Sequence, residues 1–188
     1  MQRRTLLAAA VAAATPALVL AAKEKDKEKD RAEVRKAAND ALAAVYKLQP
    51  GARQAVESAA GYAAFSNFGM KILVAGSGTG KGVAVDNKTK AVTYMKMAEV
   101  QAGVGFGVKK FHLVFVFDNK AALDKFIDSG WEIGGQATAS AKTGDKGSSY
   151  QGAVSVSPGV WLYQVSGDSL ALELTAKGTK YYKDSDLN

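Results

Sequence analysis

Two runs of alternating glycines constrain the fold of this 188-residue chain more than any other feature of its sequence. The first run is Gly76, Gly78, Gly80 and Gly82, and the second is Gly103, Gly105 and Gly107. Because side chains alternate across a β-strand, each run leaves one face of its strand without side chains. Such a bare face lets a helix or another sheet approach closely, or lets the strand bend sharply. The runs therefore predict closely packed, curved strands.

The first run also has part of the spelling of a phosphate-binding loop, because Lys81 follows Gly80. That motif requires Ser or Thr after the lysine to bind Mg²⁺, whereas this chain has Gly82. It also requires a following helix, but residues 83–85 are Val-Ala-Val, which continue a strand. The second run lacks the G-x-G-x-x-G spacing. We therefore interpret both runs as architecture and not as nucleotide sites.

The first 22 residues have the pattern of an export signal. Arg3 and Arg4 precede an apolar stretch, residues 5–20, which is shorter than the ~20 residues of a membrane-spanning helix. Residues 19–21, Val-Leu-Ala, place small residues at the −3 and −1 positions of a cleavage site. The arginines fit either a twin-arginine or a general secretory signal, and the chain has no Cys for a lipid anchor. We expect a bacterial protein that is periplasmic or secreted.

Charge and cysteine content argue against several classes of function. The chain has 25 basic and 18 acidic residues, a net charge of +7, which falls to +5 when Arg3 and Arg4 leave with the signal. This basicity is mild and spread out, whereas nucleic-acid binding requires a clustered basic face with aromatic partners. No Cys and a single His exclude thiolate and histidine-rich metal sites. We expect no nucleic acid, metal or cofactor among the ligands.

Hydrophobic periodicity predicts two helices after the signal. Residues 23–30 alternate Lys with Glu or Asp, which predicts a solvated linker or a frayed helix start. From Arg31 apolar residues recur at spacings of three and four, and this helix is expected to end at Pro50-Gly51. The recurring residues are Val34, Ala38, Ala41, Val45 and Leu48. A second, short helix is predicted over residues 52–60.

The remaining chain is rich in strand patterns, with a turn at residues 86–89. Strands are predicted at residues 72–75, 83–86, 91–97, 100–108, 112–117, 131–140, 150–157, 160–165 and 169–175, with a loop at 143–149. One helix interrupts them, with Asp118 as its N-cap and Ser129-Gly130 at its end. Its predicted buried positions are Ala121, Leu123, Phe126 and Ile127. The polar tail, residues 181–188, is expected to fray.

Helices followed by strands predict the α+β class. We expect one domain over residues 31–188, with N-terminal helices followed by a curved, largely antiparallel, Gly-rich sheet that has one inserted helix.

The sequence shows no catalytic constellation. His112 starts an apolar run and is conceivable as a general base, but a lone His at a strand start is more often structural. The acids Asp86, Glu99, Glu132 and Glu173 are scattered and fit surface charge equally well. No G-x-S-x-G motif occurs. We expect a protein that is not an enzyme, and a hydrolase using these groups remains a minor alternative.

Lys109 and Lys110 stand beside Phe111, so that two cations adjoin an aromatic ring. This pattern fits a lipid interface, with cations at the headgroups and the ring at the acyl boundary. A solvated basic end of a strand explains it equally well.

Several blocks of the chain resemble the SYLF family. They are residues 61–65 (Gly-Tyr-Ala-Ala-Phe), the glycine-alternating residues 72–85, residues 104–107 (Val-Gly-Phe-Gly), the apolar residues 113–117, and residues 119–126 with 129–130. The resemblance covers residues 34–179. It departs at residues 169–174, where a glycine of the family pattern is missing.

The resemblance implies lipid binding, partly through a basic amphipathic helix ahead of the domain body. Family members in eukaryotes bind phosphoinositides, and anionic phospholipid is the natural substitute for an exported bacterial protein. The positions that match that helix here are Arg31, Arg35 and Lys36. The resemblance carries over no catalytic residue.

These observations favour a non-catalytic lipid-binding module of the bacterial envelope that contacts anionic phospholipid. The candidate lipid-binding residues are Arg31, Arg35, Lys36, Lys109, Lys110 and Phe111. The alternative is a structural or protein-interaction component of the periplasm with an envelope protein as partner.

Overall fold

A computed structural model describes residues 16–72, 75–102, 107–133, 150–167, 169–170 and 178–188. The helices are α1 (Pro16–Leu48), α2 (Gly51–Ser58) and α3 (Lys120–Ser129). The strands are β1 (Gly61–Ile72), β2 (Ala75–Asp86), β3 (Val92–Ala102), β4 (Gly107–Phe117), β5 (Trp131–Ile133), β6 (Val154–Ser157), β7 (Val160–Ser166), β8 (Ser169–Leu170) and β9 (Gly178–Lys183). The predicted order is confirmed, with two helices before the strands and one helix between them.

The strands form one curled antiparallel sheet. Its order is β5-β9-β3-β2-β1-β4-β7-β6, with β8 paired to β7, and each of these pairings is antiparallel. Four strands separate β5 from β4 in this order, yet the ring centroids of Trp131 and Phe115 lie 5.7 Å apart. The sheet therefore bends far enough to bring its edge over its middle, which confirms the predicted α+β class and the curved sheet.

The two faces of the sheet bury separate cores. Helices α1 and α2 cover one face, where Ala64, Val83 and Val114 are buried. Helix α3 covers the other face, where Phe65 and Phe115 pack in an aromatic cluster. Neighbouring residues of β1 thus enter opposite cores, as the two-residue period of a strand requires.

Helix α1 confirms the predicted apolar stripe but begins earlier than expected. Val34, Ala38, Ala41 and Val45 are buried against the sheet. Residues 23–30, predicted as a linker or frayed start, are helical, because Lys and Glu are good helix formers. Residues 1–15 of the predicted signal lie outside the described residues. Among the described helices, none is both long and apolar enough to cross a membrane.

Two glycines give room to large side chains of the core under α3. Gly82 pairs with Phe65 across β1 and β2, and a Cβ at Gly82 would collide with the Ala64 carbonyl and the Phe65 ring. A Cβ at Gly61 would meet the Val85 carbonyl and Leu123 of α3. Of the first run, Gly82 gives room to the Phe65 ring of the neighbouring strand, whereas the close approach of a helix occurs at Gly61, outside the run. Gly103 and Gly105 of the second run lie outside the described residues.

Several strand boundaries differ from the prediction. Gly76 to Gly82 lie inside β2, whose ladder to β1 runs without a break, so there is no phosphate-binding loop followed by a helix. The predicted strands 91–97 and 100–108 instead correspond to β3 and the start of β4. Most of the predicted strands 131–140 and 169–175, and the loop 143–149, lie outside the described residues.

The N-cap of α3 is Asn119 and not Asp118 as predicted. The Asn119 side-chain oxygen accepts a hydrogen bond from the Ala122 N–H at 2.9 Å. The Asp118 carboxylate instead accepts hydrogen bonds from the Tyr150 hydroxyl at 2.7 Å and from Trp161 Nε1 at 3.2 Å. Within the helix the prediction is right for Leu123 and Phe126, which are buried, and wrong for Ala121, which is exposed. The predicted end at Gly130 is confirmed.

Replacing Gly82 by Ala is expected to destabilise the fold, because the new methyl group has no room between the Ala64 carbonyl and the Phe65 ring. The expected loss is about 1–3 kcal/mol in the free energy of unfolding, measured by urea denaturation. Ser185→Ala, at an exposed position of the tail, is the control and should change this free energy by less than about 0.5 kcal/mol. Equal values for the two variants would contradict the collision.

Asp86 gives the β2–β3 turn a defined pH dependence. Hydrogen bonds from the backbone N–H groups of Thr89 and Lys88, with the nearby Lys120 cation, hold the pKa of Asp86 below its usual value of 3.8. A lowered folded-state pKa stabilises the fold above the unfolded pKa, and this is lost as pH falls through the folded pKa. At pH 7 the free energy of unfolding of Asp86→Asn should therefore be lower than that of wild type. The gap between these two free energies should narrow below about pH 4. Urea denaturation at pH 7 and pH 3 measures both gaps, and a constant gap contradicts the prediction.

Candidate functional site

The outward face of α1 carries a row of lysines, which we call the lysine ridge: Lys25, Lys29, Lys36 and Lys47. Because a helix turns about 100° per residue, these positions lie within about 40° of one line. That line is opposite the buried stripe, and all four side chains are exposed. Lys36 is 76% exposed and its Nζ lies 2.7 Å from an Asp40 carboxylate oxygen. Asp40 lies in the same sector of the helix, so the ridge has one carboxylate among its four lysines and presents a net positive charge away from the sheet.

Arg31 and Arg35, predicted together with Lys36, turn instead toward Tyr94 of β3. Both guanidinium groups lie 5.8 Å from the centroid of the Tyr94 ring, within reach of a cation–π interaction. Arg35 Nη1 also donates a hydrogen bond to the Tyr94 hydroxyl. Arg31 is 20% exposed and pairs with Glu28 and Glu24, the latter at 3.5 Å. Of the three predicted residues, only Lys36 belongs to the ridge.

The tail, residues 184–188, holds Arg31 in place. The prediction that this tail frays is wrong. Arg31 Nε donates a hydrogen bond to the Leu187 carbonyl at 2.8 Å, and Leu187 itself is buried in the α1 core. The Asn188 side chain exchanges hydrogen bonds with the Tyr94 backbone, accepting from its N–H at 2.9 Å and donating to its carbonyl at 2.8 Å. The tail is therefore fastened both to α1 and to β3.

Lys96 of β3 is fastened to the same tail. Its Nζ lies 2.8 Å from Asp184 Oδ1 and 3.0 Å from Asp186 Oδ2. Hydrogen bonds to Asp184 and then Asp186 raise the pKa of Lys96 well above its usual range, and the Lys96 ammonium lowers the pKa of Asp186. Only 2% of the Asp184 side chain is exposed, and the Lys96 ammonium compensates the charge of this buried carboxylate.

Beside this contact lies the α1–sheet cleft, an opening of about 680 Å³ between α1 and the sheet. Its lining residues are Ala37 and Asp40 of α1 and Ser66, Thr79, Gly80, Lys81, Lys96, Met97, His112 and Tyr182 of the sheet. Four of them form a row across adjacent strands, since Lys96 pairs with Lys81, Lys81 with Ser66, and Ser66 with His112. The cleft therefore has basic and hydroxyl side chains on its floor.

The other predicted lipid-binding residues lie on β4. Lys109 and Lys110 pair with Gly69 and Phe68 of β1, and their side chains lie outside the described part of the structure. Phe111 is 7% exposed, so its ring is covered within the fold and is not presented to solvent. Phe111 therefore belongs to neither the ridge nor the lining of the cleft.

The combined geometry suits the binding of an anion. The ridge and the cleft supply ammonium groups, hydroxyls and an imidazole, and within the described residues no group of three or more His, Asp or Glu side chains is placed to hold a metal. Sequence reasoning missed Lys81 because it was considered only as part of a phosphate-binding loop. Its alternation with Val83 along β2 was the signal that places it on the α1 face.

The fold and this surface define an α+β protein with a curled antiparallel sheet, helices on both faces and a basic outer helix. No family model matches the chain. The chain is similar to Beta cell expansion factor A of Aeromonas veronii, with 32% identity over 152 residues, which cover 80% of this chain and 56% of the relative. The chain therefore spans little more than half the length of the curated relative that it matches.

The docked tail leads to a prediction about stability. Leu187→Ala is expected to lower the free energy of unfolding by about 2–4 kcal/mol, because it leaves a cavity in the α1 core. Ser185→Ala, at an exposed position in the same turn, is the matched control and should change it by less than about 0.5 kcal/mol. Urea denaturation measures both. A Leu187→Ala variant as stable as the control would show that the tail does not pack on α1.

Proposed function

We propose that this chain is a non-catalytic lipid-binding module of the SYLF family, exported to the bacterial envelope, where it contacts anionic phospholipid. The observation that carries the proposal is the lysine ridge, four exposed cations along one side of α1. The SYLF-like blocks of the sequence and the similarity to the Aeromonas veronii protein support the family assignment.

The proposed contact is electrostatic and lies at the membrane surface. The apolar stripe of α1 is used in the core, where Val34, Ala38, Ala41 and Val45 are buried, so it is not available to insert into lipid. The ridge is the opposite face, and each lysine close to an anionic surface contributes about 1 kcal/mol. A peripheral, salt-sensitive association follows from this arrangement.

Vesicle co-sedimentation of the full chain tests the proposal. Vesicles of phosphatidylcholine with phosphatidylglycerol should bind the protein, and vesicles of phosphatidylcholine alone should not. The ridge variant Lys25→Gln, Lys29→Gln, Lys36→Gln should weaken binding at least tenfold, since about 3 kcal/mol of attraction is removed. Raising the salt concentration should weaken wild-type binding in the same direction.

The matched control is Lys88→Gln, Lys90→Gln, Lys125→Gln, which removes three exposed lysines from the β2–β3 turn and from α3. It should keep near wild-type binding. Equal loss of vesicle binding in both triple variants would show that binding depends on net charge and not on the ridge. Equal binding to neutral and anionic vesicles would contradict the electrostatic contact, and no binding to either would favour the alternative, a structural or protein-interaction component of the periplasm.

A further inference from the structure

The cross-strand row on the floor of the α1–sheet cleft places two lysines directly opposite each other. Lys81 of β2 and Lys96 of β3 are register partners, and like charges in directly opposed positions destabilise a sheet. The next residues of the row, Ser66 and His112, continue across β1 and β4. All four line the cleft together with Asp40 of α1. The row thus concentrates positive and polar groups beneath the helix.

The charges of this row are compensated unequally. Lys96 is neutralised by Asp184 and Asp186 of the tail, at 2.8 and 3.0 Å. The carboxylate that faces the cleft from α1, Asp40, is itself paired with Lys36 at 2.7 Å. Lys81 is exposed, and it has no ion pair with any carboxylate of the described residues. Among the described residues, Lys81 therefore has no carboxylate partner in this concave site, where it lies next to a second lysine.

The groups around Lys81 suit an anion with several oxygens. Ser66 and Thr79 provide hydroxyl groups, and His112 provides an imidazole, all lining the same cleft. An ammonium with surrounding hydroxyl donors can share the oxygens of a tetrahedral oxyanion, and hydrogen bonds to a charged group are stronger than neutral ones. A volume of about 680 Å³ also admits the group that carries the oxyanion.

We propose that the α1–sheet cleft is a phosphate-binding site, in which Lys81 Nζ is the principal cation and Ser66, Thr79 and His112 are its polar neighbours. The phosphate comes either from the headgroup of a phospholipid or from a soluble phosphorylated molecule. The headgroup form rests on the lipid binding proposed above, whereas the soluble form is independent of it.

The single histidine of the chain provides a direct probe. The imidazole resonances of His112 in the full chain are followed by NMR while inorganic phosphate is added at fixed pH. Sodium chloride at equal ionic strength is the reference titration. Wild type should show a saturable shift with phosphate and not with chloride. Lys81→Gln should raise the midpoint about tenfold or abolish the shift, as expected for loss of one charged hydrogen bond.

Two further variants separate a site from general charge. Lys88→Gln removes an exposed lysine from the turn at the end of the same strand, and it should titrate as wild type does. Lys81→Arg keeps the cation and should restore most of the affinity lost in Lys81→Gln. A His112 shift that is unchanged in Lys81→Gln, or one that chloride reproduces, would overturn the proposal.

The same variants in the vesicle assay distinguish the two sources of phosphate. If Lys81→Gln weakens binding to phosphatidylglycerol vesicles several-fold and Lys88→Gln does not, the headgroup occupies the cleft. If phosphate shifts His112 but no vesicle binds, the cleft takes a soluble ligand and the lipid proposal falls. If vesicles bind equally well with and without Lys81 and phosphate leaves His112 unshifted, the cleft proposal falls and surface lipid binding stands.

Discussion

The packing of α1 on one face of the sheet is the contact on which the rest of this structure depends. The stripe is made of small residues, with Ala38 and Ala41 fully or nearly buried against Ala64 and Val114. Alanine lets the helix approach closely but removes less apolar surface from water than leucine does. Polar contacts near the start of the stripe, above all Arg31 to the Leu187 carbonyl, therefore complement the apolar ones. Once this face is fixed, the lysine ridge faces outward and α1 forms one wall of the cleft.

The tail completes that arrangement by finishing the sheet beside β9. Strand β9 pairs with β3 from Met95 to Val100, and just beyond it the Asp184 N–H donates to the Tyr94 carbonyl at 2.9 Å. The Asn188 side-chain oxygen then accepts from the Tyr94 N–H, and its amide nitrogen makes a second hydrogen bond to the same carbonyl. The same segment neutralises Lys96 and buries Leu187. A short polar segment is ordered because its key polar groups have defined partners far away in the chain.

Sequence patterns predicted the features that depend on nearby residues and missed those that depend on residues far away along the chain. The buried stripe of α1 and the buried face of α3 are local patterns, so periodicity found them at Val34, Ala38, Leu123 and Phe126. Asp118 and Asn119 are equally able to cap a helix, and the choice depends on Tyr150, which lies 32 residues away and takes the Asp118 carboxylate. Composition predicted a frayed tail for a similar reason, since its partners are 94 and 156 residues distant. The role proposed for Lys81 depends on the strand register that places it opposite Lys96, and this register is not visible in the sequence.

These contacts also change what the net charge of the chain means. Arg31 and Lys96 are counted in the formal charge, yet each is paired with carboxylates, so their field is largely cancelled at short range. The ridge lysines have few such partners, and their field extends over about the 8–10 Å that salt permits. Lys81 lines the cleft, where it can contact a ligand held between α1 and the sheet. In the proposed functions the ridge attracts the protein to an anionic surface and Lys81 contacts a phosphate, two roles that a mild overall charge of +5 to +7 does not distinguish.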